Sequence, residues 1–499
     1  MNDPSGASAR LPNLLLLMTD QQRADTIEPD GPCLTPNLQA LAAQGTSFER
    51  CYAPNPICSP TRASLYTGLL PHAHGMVDVT HAVPPTRAEL APNLPFWSRD
   101  LQRAGYRTAH FGKWHVERSD ALERFGFDEY EVDLRLTGVQ GYEGRLAPRV
   151  ALRHEGYREF LLAGVSDEPA EATREAALFE RGIAFLRERA RERARERGEA
   201  RPWAGRPWAL VVSTEAPHDP YVVPRALYDR YDPAALAPPP SADDRLADRP
   251  AIYRRIRRSW EGLSREAAAQ ARACYYAACS GIDDQVGRIL EVLRETGQAD
   301  DTLVVFTSDH GDYLGAHGLW LKGVPAFEEA YRVPLVLRGP GVPGGVRVAD
   351  PVSLLDLPRT LVRLLLGEDF GGHGRDLGAW LEGRAAPGTG EAYAEFHGQR
   401  FGYTQRIVWR GHHKYVFNAF DEDELYDLAN DPHELRNLAA EPDARPRLRA
   451  LARRMWEVAR STGDRTLADA QYGMFRFAPT GPEIEPGLGP EIGPEEEDA

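Results

Sequence analysis

Two stretches decide the fold: Asn13-Leu14-Leu15-Leu16-Leu17-Met18-Thr19-Asp20-Gln21 and Thr302-Leu303-Val304-Val305-Phe306-Thr307-Ser308-Asp309-His310. Each is a short, β-rich apolar run that breaks abruptly into acid and polar residues. Two more runs behave alike. Thr108 to Phe111 ends in Gly112-Lys113-Trp114-His115, and Trp208 to Val212 ends in Ser213-Thr214-Glu215 and then Pro217-His218. Continuous apolar runs of this length read as parallel strands buried on both faces. Helical patterns lie between them. Ala176, Phe179, Ile183, Leu186 and Ala190 recur at spacings of three and four, with Arg and Glu alternating over Arg187 to Arg197 as a solvated face, and a second helix is predicted from about Arg265 to Thr296. Alternation of this kind predicts an α/β fold with a large, mostly parallel sheet sandwiched by helices. Ligands bind at the carboxyl ends of such strands. Four strands deliver Asp20, Lys113 with His115, His218, and Asp309 with His310 to that edge.

Composition narrows the function. The chain has 499 residues, a net charge of −15, and 45 glycines with 40 prolines. That Gly and Pro content is below the roughly 25–30% of low-complexity chains, so the protein is globular and loop-rich. The negative charge argues against nucleic acid as a partner. Seven acids and no base fall between Gly481 and Ala499, which reads as a solvated tail. No segment reaches the ~18 apolar residues of a membrane span. Leu14 to Met18 is followed by Thr19-Asp20 and reads as a strand, not a signal peptide, so the expectation is a cytoplasmic protein without membrane contact. The five cysteines (Cys33, Cys51, Cys58, Cys274 and Cys279) are then expected to be reduced, four of them as buried thiols.

Three divisions are expected: a catalytic domain over 1–385, a smaller C-terminal α+β subdomain over 386–470, and an extended acidic tail over 471–499. Ala235 to Pro250 reads as a surface loop, and the Gly-rich Gly371 to Gly390 as a connection. Glu391 to Phe417 alternates as short strands, and a helix is predicted from about Arg445 to Arg460. The segment Asp464 to Pro479, with Tyr472, Met474, Phe475 and Phe477, is apolar for a chain end. It fits packing on its own core or on a second subunit, which leaves an oligomer open.

The sharpest motif is Cys58-Ser59-Pro60-Thr61-Arg62, followed by Thr67-Gly68. With Gly112-Lys113-Trp114-His115, Ala216-Pro217-His218-Asp219-Pro220, Ser308-Asp309-His310-Gly311-Asp312, His317 to Gly323, Arg332 to Leu335 and Leu425 to Asn437 in order, the chain resembles the sulfatase family over residues 11 to 440. The resemblance implies an alkaline-phosphatase-like fold and hydrolysis of a sulfate monoester of a small organic molecule or sugar. It also implies that a formylglycine-generating enzyme oxidises Cys58 to formylglycine. One hydroxyl of the hydrated aldehyde attacks sulfur, and the second expels sulfate from the resulting hemiacetal, which an ordinary Ser or Cys cannot do.

Carried over residue by residue, the metal ligands are Asp20, Gln21, Asp309, His310 and an oxygen of the modified Cys58. Arg62 holds the nucleophile loop. Lys113 and Lys322 grip sulfate oxygens. His115 is the candidate base for the hemiacetal, and His218 binds substrate and protonates the leaving group. His72, His74 and His317 are further candidates for the pocket wall. Many family members have Asp and Asn where Gln21 and His310 stand; the present pair resembles a branch of choline sulfatases and phosphonate monoester hydrolases. An imidazole ligand suits Mn²⁺ or Zn²⁺ better than Ca²⁺, yet the resemblance makes Ca²⁺ the first expectation and Mn²⁺ the next. Two alternatives stand beside sulfate hydrolysis: a phosphonate monoester or phosphodiester hydrolase using the same site, and a catalytically silent binding protein. Residues that choose the substrate are expected in the loops Leu134 to Tyr157 and Leu236 to Arg258.

Overall fold

The computed structural model describes residues 11–84, 88–132, 145–196, 206–386, 388–419 and 421–465. The expected acidic tail, the apolar segment around Tyr472 to Phe477, Arg197 and the loop positions 134–144 lie outside the described residues.

An eight-stranded sheet forms the centre. Its order is Val346–Val348, Thr46–Phe48, Leu335–Arg338, Thr302–Ser308, Asn13–Thr19, Trp208–Ser213, Arg107–Gly112, Glu129–Val132. Every neighbouring pair is parallel except the two made by Leu335–Arg338, so one strand alone runs against the rest. The sheet is mostly parallel, as the unbroken apolar runs predict. Along Asn13–Thr19, Leu14, Leu16 and Met18 enter one core, with the helices Cys58–Thr67, Trp97–Arg103 and Leu357–Leu366. Leu15 and Leu17 enter the other, with Pro36–Gln44, Arg174–Glu196 and Arg265–Glu295. Successive side chains point to opposite faces, and helices cover both faces, so no position in the strand is free to be polar.

The two helices on the second face are joined by a cap. Thr35 precedes Pro36–Gln44 but its side chain caps nothing. Asp283, midway along Arg265–Glu295, does so instead: its carboxylate accepts from Leu38 N at 2.7 Å, Asn37 N at 3.1 Å and Asn37 Nδ2 at 2.8 Å. The orphan amides of a helix start are thus satisfied from a neighbouring helix.

The C-terminal unit is an antiparallel sheet of Glu391–Gly398, Gly402–Arg410, His413–Asn418 and Glu424–Asp427, with the helix Arg445–Thr462. One face packs on that helix through Val408, Tyr415, Phe417, Leu451, Met455 and Trp456. The other packs Ile407, Trp409 and Val416 against Tyr52, Phe327 and Tyr331 of the main body. The connection before it holds a short helix, Gly378–Leu381, whose Leu377 and Leu381 reach the main core. The stretch Ala235 to Pro250 has no strand or helix beyond the turn Pro233–Ala235, yet it is not simply surface: Ser241, Leu246 and Arg249 are buried. All five cysteines are buried and none forms a disulfide. Among the described residues, no helix is long and apolar enough to cross a membrane.

His72 fastens the C-terminal unit to the body. Its Nδ1 lies 2.6 Å from Glu395 Oε1 and its Nε2 3.0 Å from Thr462 O. Both partners only accept, so both ring nitrogens donate and the ring is an imidazolium. Burial opposes that charge, but the Glu395 contact outweighs it and raises the His72 pKa.

Two outcomes follow for stability. Asp283→Ala should lower unfolding free energy by about 1–3 kcal/mol, the cost of leaving buried amides unpaired; urea denaturation should show a lower midpoint at unchanged slope. Because the His72 pKa is raised in the folded state, its contribution is full below about 6.5, the ordinary imidazole value, and fades as pH rises through the raised value. His72→Gln should therefore flatten the fall in melting temperature on the alkaline side of pH 6.5. An unchanged pH profile would remove His72 from this role.

Candidate active site

The register of two strands builds the centre. Thr19 pairs with Ser308 in parallel, so the next residues, Asp20 and Asp309, emerge side by side beyond the sheet. Cys58 stands at the first position of its helix, with Sγ 3.2 Å from His310 Nε2 and 3.6 Å from Asp20 Oδ1. One ligand atom from each of Asp20, Cys58, Asp309 and His310 falls within a 4.8 Å span, and all four residues are buried. His310 Nδ1 donates to Gly311 O at 2.9 Å. That contact leaves the Nε2 lone pair facing the carboxylates. Burial lowers the His310 pKa, which keeps the ring neutral, as a metal ligand must be.

Gln21 adopts a left-handed backbone, φ 69°. Its Nε2 donates to Asp312 Oδ2 at 2.6 Å and to Asp219 Oδ1 at 3.2 Å, so Oε1 is turned the other way, where it accepts from Lys322 Nζ. Two carboxylates, an imidazole nitrogen and an orientable amide oxygen make a mixed oxygen–nitrogen donor set. That set fits a hard or borderline divalent cation.

Cations surround the carboxylates. Arg62 has no solvent exposure; its Nε donates to Asp309 Oδ2 at 2.6 Å and its Nη2 to Asp20 Oδ2 at 3.3 Å. Its Nη1 reaches Lys113 O and Ser213 Oγ, both at 2.9 Å. Lys113 Nζ sits 2.7 Å from Asp20 Oδ2 and 3.8 Å from Glu215 Oε1. Burial alone would raise the Asp20 pKa, but Lys113, His218, His310 and Arg62 together hold it well below the carboxylate range. The site therefore holds buried carboxylates under a ring of positive charge, an arrangement that accepts an anion.

His218 Nδ1 donates to Asp219 O at 2.7 Å, and its Nε2 faces Lys322 Nζ. On the other side, His115 has φ 49° and neither ring nitrogen has a partner. Burial, then the charges of Lys113 and Arg62, press its pKa well down, so it is a neutral base with free lone-pair capacity.

The structure thus brings together Asp20, Gln21, Cys58, Arg62, Lys113, His218, Asp309, His310 and Lys322, with His115 beside Lys113. It does not bring in the three further histidines. His72 holds the C-terminal sheet. His74 bonds Ser64 Oγ at 3.0 Å and is pushed down to about 3 by burial. His317 bonds Asp244 at 2.8 Å and stacks on Phe327 at 3.6 Å. Conversely, Asp219, Asp312, Ser213 and Glu215 carry parts of the site that the sequence reading quoted without assigning. Asp219 and Asp312 each lie one or two residues beyond a recognised histidine, and that adjacency was the available signal.

The comparisons agree with this geometry. The family model described as Sulfatase matches residues 12–368. A choline-sulfatase of Rhizobium meliloti (strain 1021) is 33% identical over 454 residues, covering 86% of this chain and 83% of its own. A multifunctional alkaline phosphatase superfamily protein of Trinickia caryophylli is 29% identical, covering 94% and 98%. A phosphonate monoester hydrolase from Silicibacter pomeroyi superposes with a TM-score of 0.72 at 25% identity, covering 92% of this chain and 97% of its own. With the fold, the motif order and the family match in agreement, the chain belongs to the sulfatase family of sulfuric ester hydrolases.

Proposed function

We propose that the enzyme cleaves the sulfate monoester of a small organic molecule or sugar, with Cys58 converted to formylglycine as nucleophile and one divalent cation at Asp20, Gln21, Asp309 and His310. The observation that carries this reading is the convergence of Cys58 with two buried carboxylates and a neutral imidazole inside a cationic rim. The cation, Ca²⁺ first and Mn²⁺ next, would supply Lewis acidity to the nucleophile and to a sulfate oxygen. Around it the chain's own groups divide the work. Arg62 ties the Cys58 helix to both carboxylates. Lys113 and Lys322 offer ammonium groups to sulfate oxygens. To His218, in contact with Lys322, we assign protonation of the leaving oxygen, and to His115 the role of base for the hemiacetal.

Maturation requires a formylglycine-generating enzyme as partner. Cytoplasmic residence belongs to the same proposal, and the apolar chain end leaves packing on its own core and packing on a second subunit both open. A second reading, hydrolysis of phosphonate monoesters or phosphodiesters, is favoured by one finding: structural neighbours at 25% and 26% identity are both phosphonate monoester hydrolases. Rates on p-nitrophenyl sulfate and on a phenyl phosphonate monoester separate the two. The leading reading expects higher kcat/KM on the sulfate.

Cys58→Ala should abolish turnover without lowering melting temperature, and Cys58→Ser should allow at most one sulfuryl transfer per enzyme. Mass spectrometry of the wild-type peptide should show the thiol replaced by an aldehyde. Sustained turnover in the Ser variant would exclude the two-hydroxyl mechanism. Chelation should remove activity, and Asp20→Asn or Asp309→Asn should weaken metal affinity more than His310→Ala, because each Asp supplies a full charge. Elemental analysis with metal titration measures this; a greater loss in His310→Ala would displace Ca²⁺ as the first choice.

A further inference from the structure

The hairpin between Glu391–Gly398 and Gly402–Arg410 ends in a three-residue tip, Gln399-Arg400-Phe401, closed by the pairing of Gly398 with Gly402. Its base is fixed to the nucleophile loop: Glu395 N donates to Pro54 O at 2.9 Å, and Asn55 Nδ2 to Glu395 O at 2.6 Å. Cys58 follows three residues after Asn55. The strand that leads to the tip is thus tied to the loop that sets the nucleophile.

From that base the tip touches two walls of the site. A Cβ at Gly323, the residue after Lys322, would lie 3.1 Å from Gln399 Oε1. Arg400 Nη2 lies 3.4 Å from His81 Nε2, and the His81 ring stacks on His115 at 5.9 Å and 5°. Arg400 has φ 62°, and its backbone N donates to Asp78 Oδ2 at 2.8 Å. Asp78 is thus turned to the backbone, its other oxygen accepting from Val79 N at 2.6 Å. Among the described residues no carboxylate lies within ion-pair distance of the Arg400 guanidinium. The inner cations differ, since Lys113 is paired with Asp20 and Lys322 with Gln21. Half-burial, then the charge of Arg400, lowers the His81 pKa, so His81 is a neutral acceptor there. Phe401 is 50% exposed and gives the same tip an apolar face.

We propose that Arg400, backed by His81 and Phe401, is a specificity-determining residue that binds an anionic group, a carboxylate or a second sulfate, on the alcohol portion of the ester. The guanidinium, with no carboxylate within ion-pair distance among the described residues, stands at the rim beside His81, which is stacked on His115 and feels the charges of both Lys113 and Lys322. A cationic leaving group would meet it with repulsion, and a neutral one would gain nothing from it.

This inference rests on the hydrolase reading above, and three aryl sulfates test it: 4-carboxyphenyl, 4-carbamoylphenyl and 4-(trimethylammonio)phenyl sulfate. Arg400→Ala should lower kcat/KM on the carboxylate about tenfold, mainly through KM, as loss of one charge-assisted hydrogen bond implies. It should leave the carboxamide within about twofold, the scatter of a surface substitution, and raise the rate on the ammonium ester. Arg400→Lys should retain most of the preference. An equal change on all three esters, or no change on any, would overturn the assignment. If the enzyme turns over phosphonates and not sulfates, the same substituents on phenyl phosphonate monoesters read the same ratios. The charge preference and the sulfate reading therefore fail separately.

Discussion

Two buried carboxylates held side by side are the constraint on which the molecule depends. The parallel register of Asn13–Thr19 with Thr302–Ser308 leaves Asp20 and Asp309 no choice of neighbour. Like charges about 4 Å apart repel by roughly 4 kcal/mol even at the effective dielectric of a protein. Arg62 answers that repulsion with one bond to each acid. It can do so only from the first turns of Cys58–Thr67, one turn beyond Cys58. The ion pair that makes the acids tolerable therefore also places the nucleophile. Removing Arg62 would leave an uncompensated buried charge, which is why its role cannot be split into structural and catalytic shares.

The same tension shapes the loops. Gly311 follows His310 where a Cβ would lie 2.0 Å from Glu329 O, so only glycine lets the chain pass this close to that carbonyl while Gly311 O accepts from His310 Nδ1. Gln21 and His115 both hold left-handed backbones at strand ends. Such strain persists where the surroundings over-determine it, and here they do: Gln21 N donates to Asp309 Oδ1 at 3.2 Å and Gln21 O accepts from Tyr275 at 2.6 Å.

Much of this was legible in the sequence. Leu14 to Met18 has no polar residue because both faces are covered, and that absence identifies a central parallel strand. The charge alternation before Glu196 identifies a solvated helix face. Strand ends and motif order then named the residues that meet. What stayed hidden depends on long-range placement. Nothing local distinguishes His72, clamped by Glu395 more than three hundred residues away, from a histidine that lines the site. Nothing local shows that Asp283 caps a helix that begins at Pro36, or that Ala235 to Pro250 buries Leu246. The hairpin tip at Arg400 was invisible for the same reason: its meaning comes from the Glu395–Asn55 contact.

Gln21, a ligand in the function proposed above, gains its sense from the same kind of distance. Taken alone, an amide where the family resemblance leads one to expect an acid would be a loss of charge at the proposed metal. In the fold, its Nε2 donates to both Asp219 and Asp312, and Asp312 also accepts from Tyr221 OH. An aspartate at position 21 would turn an oxygen toward two buried carboxylates already there. The amide offers an oxygen to one side and a donor to the other, so it joins the inner carboxylate pair to the outer one without adding a further charge. The amide at position 21 and the acids at 219 and 312 are thus one hydrogen-bonded unit, so removing the amide would leave both carboxylates short of a donor.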